Sequence, residues 1–181
     1  MPQDMNCLAP LLDGRYIVSL ATLNRDTSIH LVAVWFISEN GNLFVPTSSK
    51  SRKARNVLVR PQASIMVDAR RDDSQRGLSV SGRAEIITGD SARALNLRIH
   101  NRYLTPGALA NPRVGPVMLA NDDVTIRLIP EKWAQWDLNE DDQKVFESYY
   151  RGMHLPALLE VVEAIPGLRL FITNSPATLP P

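Results

Sequence analysis

Residues 29–60 read IHLVAVWFISENGNLFVPTSSKSRKARNVLVR, and the change of character within this stretch decides the fold. Ile29 to Ile37 is an almost unbroken apolar run rich in β-branched and aromatic side chains, the pattern of a strand buried on both faces. Glu39-Asn40-Gly41-Asn42 follows, with Asn-Gly at its centre, a pair that tolerates the left-handed backbone of a tight hairpin turn. That turn delivers the short strand Leu43-Phe44-Val45. From Pro46 the chain turns polar, Ser51 is a plausible N-cap, and Ala54, Val57 and Leu58 fall at helical spacing until Pro61 ends the helix.

Working outward, residues 4–13 form a short helix closed by Gly14, and Arg15 to Leu23 reads as a strand. Asn24-Arg25-Asp26-Thr27 supplies turn chemistry, so the strands on either side make a hairpin, and with Leu43-Phe44-Val45 they form an expected three-strand meander. Downstream, residues 63–68 are a strand, Arg70 to Gly77 is read as a charged loop, and Leu78 to Thr88 alternates apolar with small or polar residues. Gly82 marks a bulge or a close backbone approach in that strand. Gly89-Asp90 caps a surface helix from Ser91 to Tyr103, residues 105–116 form a loop or broken helix, and residues 124–129 make a last strand ending before Pro130.

These elements define a domain over residues 1–137, mainly β with flanking helices. Residues 138–181 carry six acidic against three basic side chains and five prolines, yet retain Phe146, Leu155, Leu158, Leu159 and Phe171. They are expected to be a helical or irregular appendage packed on the barrel or on a partner subunit. A net charge of +1 over 181 residues creates no overall field for nucleic acid or an anionic membrane. The first residues carry Asp4 and no long apolar run, so no spanning helix or secretory signal is expected and the protein is read as cytoplasmic. Cys7 is the sole cysteine, and His30, His100 and His154 share no ligand spacing, so no metal centre is expected.

The chemistry concentrates in Thr47-Ser48-Ser49-Lys50-Ser51-Arg52-Lys53-Ala54-Arg55. Lys50, Arg52, Lys53, Arg55 and Arg60 come without an intervening acid, and the helix beginning near Ser51 points its unpaired N–H groups at the same place. Hydroxyls, cations and a helix N-terminus together suit a phosphate monoester. The plain alternative is a solvated basic face. The meander just upstream, with Val34-Trp35-Phe36, offers a broad apolar wall for a planar ring, and a phosphate clamp beside such a wall is what a ring mononucleotide needs.

The runs LATLNRDTSIHLVAVWF, NLFVPTSSKSRKARNV, RPQASIMV, GLSVSGRAEIITGD and VTIRLIPEKWAQWD resemble, in order, the pyridoxamine 5'-phosphate oxidase-like split barrels. The resemblance covers roughly residues 8–137 and implies a six-stranded Greek-key split β-barrel of the FMN-binding type. It further implies a homodimer with cofactor sites at the subunit interface. On that basis Ala33, Val34, Trp35 and Phe36 contact the ring largely through backbone atoms, Thr47 and Ser48 line the ribityl and phosphate path, and Ser51, Arg52 and Lys53 bind the phosphate. Trp136 corresponds to a tryptophan that approaches the flavin from the other subunit.

The family's cofactors are FMN and the deazaflavin F420, and either would carry hydride chemistry for a small-molecule substrate with no side-chain acid-base pair. In the oxidase an arginine- and histidine-containing segment grips the substrate phosphate after that tryptophan. Here the chain continues Asp137-Leu138-Asn139-Glu140-Asp141-Asp142, whose charge would repel it, so pyridoxamine phosphate is not the expected substrate. Many relatives place glycine and proline in the first hairpin, where this chain has Thr27 and Ile29. The rival to an enzyme is a non-catalytic flavin or haem carrier, with His30 or His100 as axial ligand. Arg98 to Tyr103 is either the mouth of a substrate site or a wet helix face.

Overall fold

The computed structural model describes residues 9–71 and 74–137. The appendage at 138–181 and the start of the first helix lie outside the described residues. Within them the elements are α1 (Ala9–Asp13), β1 (Val18–Leu23), β2 (Ile29–Val34), β3 (Ile37–Glu39), β4 (Asn42–Thr47), α2 (Arg52–Val59), β5 (Gln62–Arg71) and β6 (Ser74–Ile87). They are followed by α3 (Gly89–Tyr103), α4 (Pro106–Ala110), α5 (Gly115–Asn121) and β7 (Val124–Asp137).

All seven strands join one antiparallel sheet in the order β2-β1-β5-β6-β7-β4-β3. The two edge strands are consecutive in sequence, and only Trp35 and Phe36 separate them. Three Cα steps of 3.8 Å span at most about 11 Å, so the sheet must curl until its edges nearly meet there. The result is the split barrel, mainly β with flanking helices. Seven strands replace the expected six because the run 29–37 is not one strand: it bends at Trp35-Phe36, and its halves pair with different partners, β1 and β4. The expected three-strand meander is corrected accordingly, since β4 lies beside β7 and far from β1 in the sheet order.

Alternation along β1 buries Val18, Leu20 and Thr22; the Thr22 hydroxyl accepts from Nδ2 of Asn56, while Val18 and Leu20 join Phe36, Val45, Ile65, Val67, Leu78, Val80, Ile126 and Leu128 in the barrel core. Each such fully buried side chain contributes about 1.5–3 kcal/mol. Strand β4 is buried on both faces because α3 covers its outer side, through Ile37, Phe44, Leu95 and Ile99, with Trp35, Ile87 and Tyr103 at the margin.

Two further expectations are corrected. The charged segment from Arg70 is the tip of a hairpin, with Arg70 opposite Gln75 and Arg71 opposite Ser74. Strand β7 does not stop before Pro130 but runs through it to Asp137. The proline is tolerated because the β6–β7 register shifts between Ser81 and Gly82, with Glu131 the extra residue on β7; Gly82, expected to mark a bulge or a close backbone approach, sits opposite, where a larger residue would strike the carbonyl of Ile129. The Asn40-Gly41 turn is formed as read, with φ of 50° and 74°.

Candidate functional site

A cavity of about 300 Å³ opens where the bent strand passes α2 and is lined by Ile17, Ala33, Val34, Trp35, Pro46, Lys53, Met118 and Asp122. Four residues singled out from sequence, Ala33, Val34, Trp35 and Lys53, thus meet at one place. Trp35 is half-buried and held on two sides: its indole stacks on Tyr103 at 5.3 Å and 5°, and its edge meets His100 at 6.0 Å and 82°. The Tyr103 hydroxyl donates to the carbonyl of Tyr16 at 2.7 Å and accepts from the N–H of Phe36 at 3.5 Å. Phe36 itself is completely buried, so its ring belongs to the barrel core and its N–H faces Tyr103.

Lys53 and Arg52 part company. Successive helical residues diverge by about 100°, so Lys53 faces the ring-sized cavity while Arg52 lines a second one of about 490 Å³ with Leu23, Asn24, Arg25, Arg55, Asn56, Leu58 and Val59. Burial pushes the Lys53 ammonium pKa down, and the carboxylate of Asp122 partly restores it.

The hydroxyls of the turn are occupied in building it. Ser51 caps α2, its Oγ accepting from the Ala54 N–H at 3.2 Å, and the same oxygen lies 3.0 Å from Oγ1 of the buried Thr47. The Ser48 hydroxyl accepts from the N–H of Lys50 at 3.2 Å. The N–H groups of Arg52 and Lys53, just past the cap, have no acceptor within the helix.

Sequence reasoning missed both carboxylates behind this turn. Asp123 accepts from the Ser49 N–H and hydroxyl, each at 2.6 Å, and those bonds hold its pKa below the ordinary aspartate range. Asp122 accepts from Nε2 of His100 at 2.9 Å while lining the ring-sized cavity. The pair Asp122-Asp123 ahead of the last strand was the only signal, and nothing in it fixes the distance to Ser49 in the fold.

Trp136 lines none of these cavities. It pairs with Gly77 near the far end of β7, whose first residue, Val124, pairs with Thr47. A methyl group at Gly77 would run into its indole. At roughly 3.3 Å per residue, most of a long strand separates Trp136 from the turn of its own chain. The Arg98–Tyr103 cluster serves several ends: Arg98 pairs with Glu39 at 2.8 Å, His100 is buried, Arg102 holds the end of α1, and Asn101 and Tyr103 line a third cavity.

A curled antiparallel barrel with a cavity beside a basic turn-helix junction defines a split barrel of the flavin-binding type. The chain belongs to the pyridoxamine 5'-phosphate oxidase family, whose profile matches residues 7–137. No curated protein matches it. Among solved structures it is similar to the conserved hypothetical protein Rv2991 of Mycobacterium tuberculosis, with 26% identity, a TM-score of 0.63, and 78% of this chain and 88% of that one covered. It is also similar to an F420 reductase, with 27% identity and a TM-score of 0.58 over 74% of this chain and 98% of the other. The haem storage protein HutZ of Vibrio cholerae, at 22% identity and a TM-score of 0.53 over 72% and 91%, shares the fold.

Proposed function

We propose that the protein is an FMN-dependent oxidoreductase, with F420 as the alternative cofactor, acting on a small organic substrate other than pyridoxamine phosphate. The observation that supports this reading is the convergence of Ala33, Val34, Trp35 and Lys53 on one cavity next to the cap of α2. Its apolar wall suits a planar tricycle, and Lys53 with the first N–H groups of α2 suits the phosphate. When bound, such a cofactor supplies hydride transfer; the chain orients it and keeps water away. About 300 Å³ is at the small end for a ligand site, which accords with completion by a second copy.

For F420, the cavity holding Arg25, Arg52 and Arg55 offers guanidinium groups to an acidic tail, and the likeness to an F420 reductase points the same way. The haem-carrier alternative draws little from His100, whose Nε2 is held by Asp122 and whose Nδ1 is enclosed without a partner.

Reconstitution with FMN and, separately, with F420 tests the reading by calorimetric titration. One cofactor is expected to bind, and Lys53→Ala to weaken it by about 1.5–3 kcal/mol, the worth of a charge-assisted bond to phosphate. Binding of neither would overturn the proposal. Tight retention without reduction of any acceptor would make the protein a carrier.

A further inference from the structure

The third cavity, about 610 Å³, is lined by Arg15, Ile17, Trp35, Asn101, Tyr103 and the turn from Leu104 to Pro106. Ile17 and Trp35 line the ring-sized cavity as well, so the two spaces adjoin at these residues. We infer that this third cavity receives the acceptor, and that the acceptor is a planar conjugated organic acid, recognised by Arg15 at its anionic end and by the Trp35–Tyr103 wall along its ring. The inference rests on the ring-site reading only for the word acceptor; the binding preference stands on the cavity alone.

Arg15 lines this space, and Arg102, though not in the lining, is near enough for its charge to reach Tyr103. Arg15 spends one donor, Nη1, on the backbone carbonyl of Arg102 at 3.0 Å. Arg102 spends Nη2 on the carbonyls of Asp13 and Gly14, at 2.6 and 2.7 Å, where α1 ends. Carbonyls orient a guanidinium but do not neutralise it, and among the described residues neither arginine has a carboxylate partner. Both act on the Tyr103 hydroxyl: burial raises its pKa, and the positive charges of Arg102 and Arg15 oppose that rise. Elsewhere the fold pairs such cations, as in Arg98 with Glu39 and Arg127 with Glu85.

An anion in the cavity would relieve the repulsion between the two arginines and take up the donors Arg15 has left, in a fork that matches a carboxylate. The adjoining wall is flat and rigid, because Tyr103 is tied to Tyr16 and Phe36 and stacks on Trp35. Asn101, on the last turn of α3, adds an amide able to serve the carboxylate or a ring substituent. A neutral aliphatic ligand would use neither feature.

The test compares 2-naphthoate with 2-naphthamide, equal in shape and different in charge, by calorimetric titration of cofactor-loaded and cofactor-free protein. Naphthoate is expected to bind about tenfold more tightly than the amide or better. Arg15→Met should abolish that preference and leave cofactor affinity unchanged, while Arg15→Lys, which keeps the charge and loses the fork, should restore part of it. Equal binding of the two probes to the wild type, or a preference that survives Arg15→Met, would overturn the inference. Failure of FMN and F420 to bind would remove the ring-site reading alone, since the cofactor-free titration still reports on Arg15.

Discussion

Thr27 has a φ of 69°, a conformation in which a β-branched residue crowds its own backbone. The turn holds it there: the Thr27 N–H donates to the carbonyl of Asn24 at 3.0 Å, and the Asp26 carboxylate accepts from the Ser28 N–H and hydroxyl. A glycine would adopt this backbone without that crowding. Relief of about 1–2 kcal/mol of crowding, less about 0.5–1 for the added freedom of the unfolded chain, makes Thr27→Gly more stable by roughly 0.5–1 kcal/mol. Urea denaturation checks it, and a loss of stability would contradict the account. At this scale composition told what kind of chemistry resides at 47–55 but not which way each side chain faces. Arg52 and Lys53 are neighbours in sequence yet line different cavities, because helix geometry separates them more than chain order suggests.

The turn between β4 and α2 is anchored from across the sheet by Asp123, just before β7. Hydrogen bonds from Ser49 stabilise the carboxylate form, so the folded pKa lies below the unfolded one. The stabilisation is therefore complete above the ordinary aspartate range and drains away as pH falls through the lowered folded value. Asp123→Asn should melt below the wild type at neutral pH, with the gap closing in acid; a gap that persists unchanged would contradict the assignment. Elements with a local signature were legible: the Ser51 cap, the Asn40-Gly41 turn and the close backbone approach at Gly82. Those fixed by pairing were not. The stretch from Arg70 has the composition of a loop, yet its described residues, Arg70-Arg71 and Ser74 to Gly77, are strand only because their backbone groups find partners across the hairpin. Pro130 reads as a strand end until a bulge at the next residue of the same strand, Glu131, makes room for it.

Over the whole barrel, β2 presents Ile29 and Leu31 to the outside at 70% and 64% exposure, and Ile17, just ahead of the neighbouring strand β1, is 65% exposed. Such an apolar edge beside the ring-sized cavity suits a second copy of the chain, in keeping with the proposed homodimer and with Trp136 acting from a partner. Leu31→Glu should then yield monomers in sedimentation and weaken cofactor binding together. Dimers of unchanged stability would place the interface elsewhere. The class of fold was legible because strand and helix signals arrive in a recognisable order, whereas closure was not: no residue announces that a continuous apolar run will serve both margins of a sheet.

That corner has a dynamic corollary. Trp35 belongs at once to the seam of the barrel and to the wall that a ring would touch, so breathing of the seam and departure of the guest are one movement. Ligand occupancy should therefore latch the seam, and the backbone amides of Phe36 and Ile37 should exchange with deuterium more slowly in the loaded protein, by the factor that binding energy imposes on local opening.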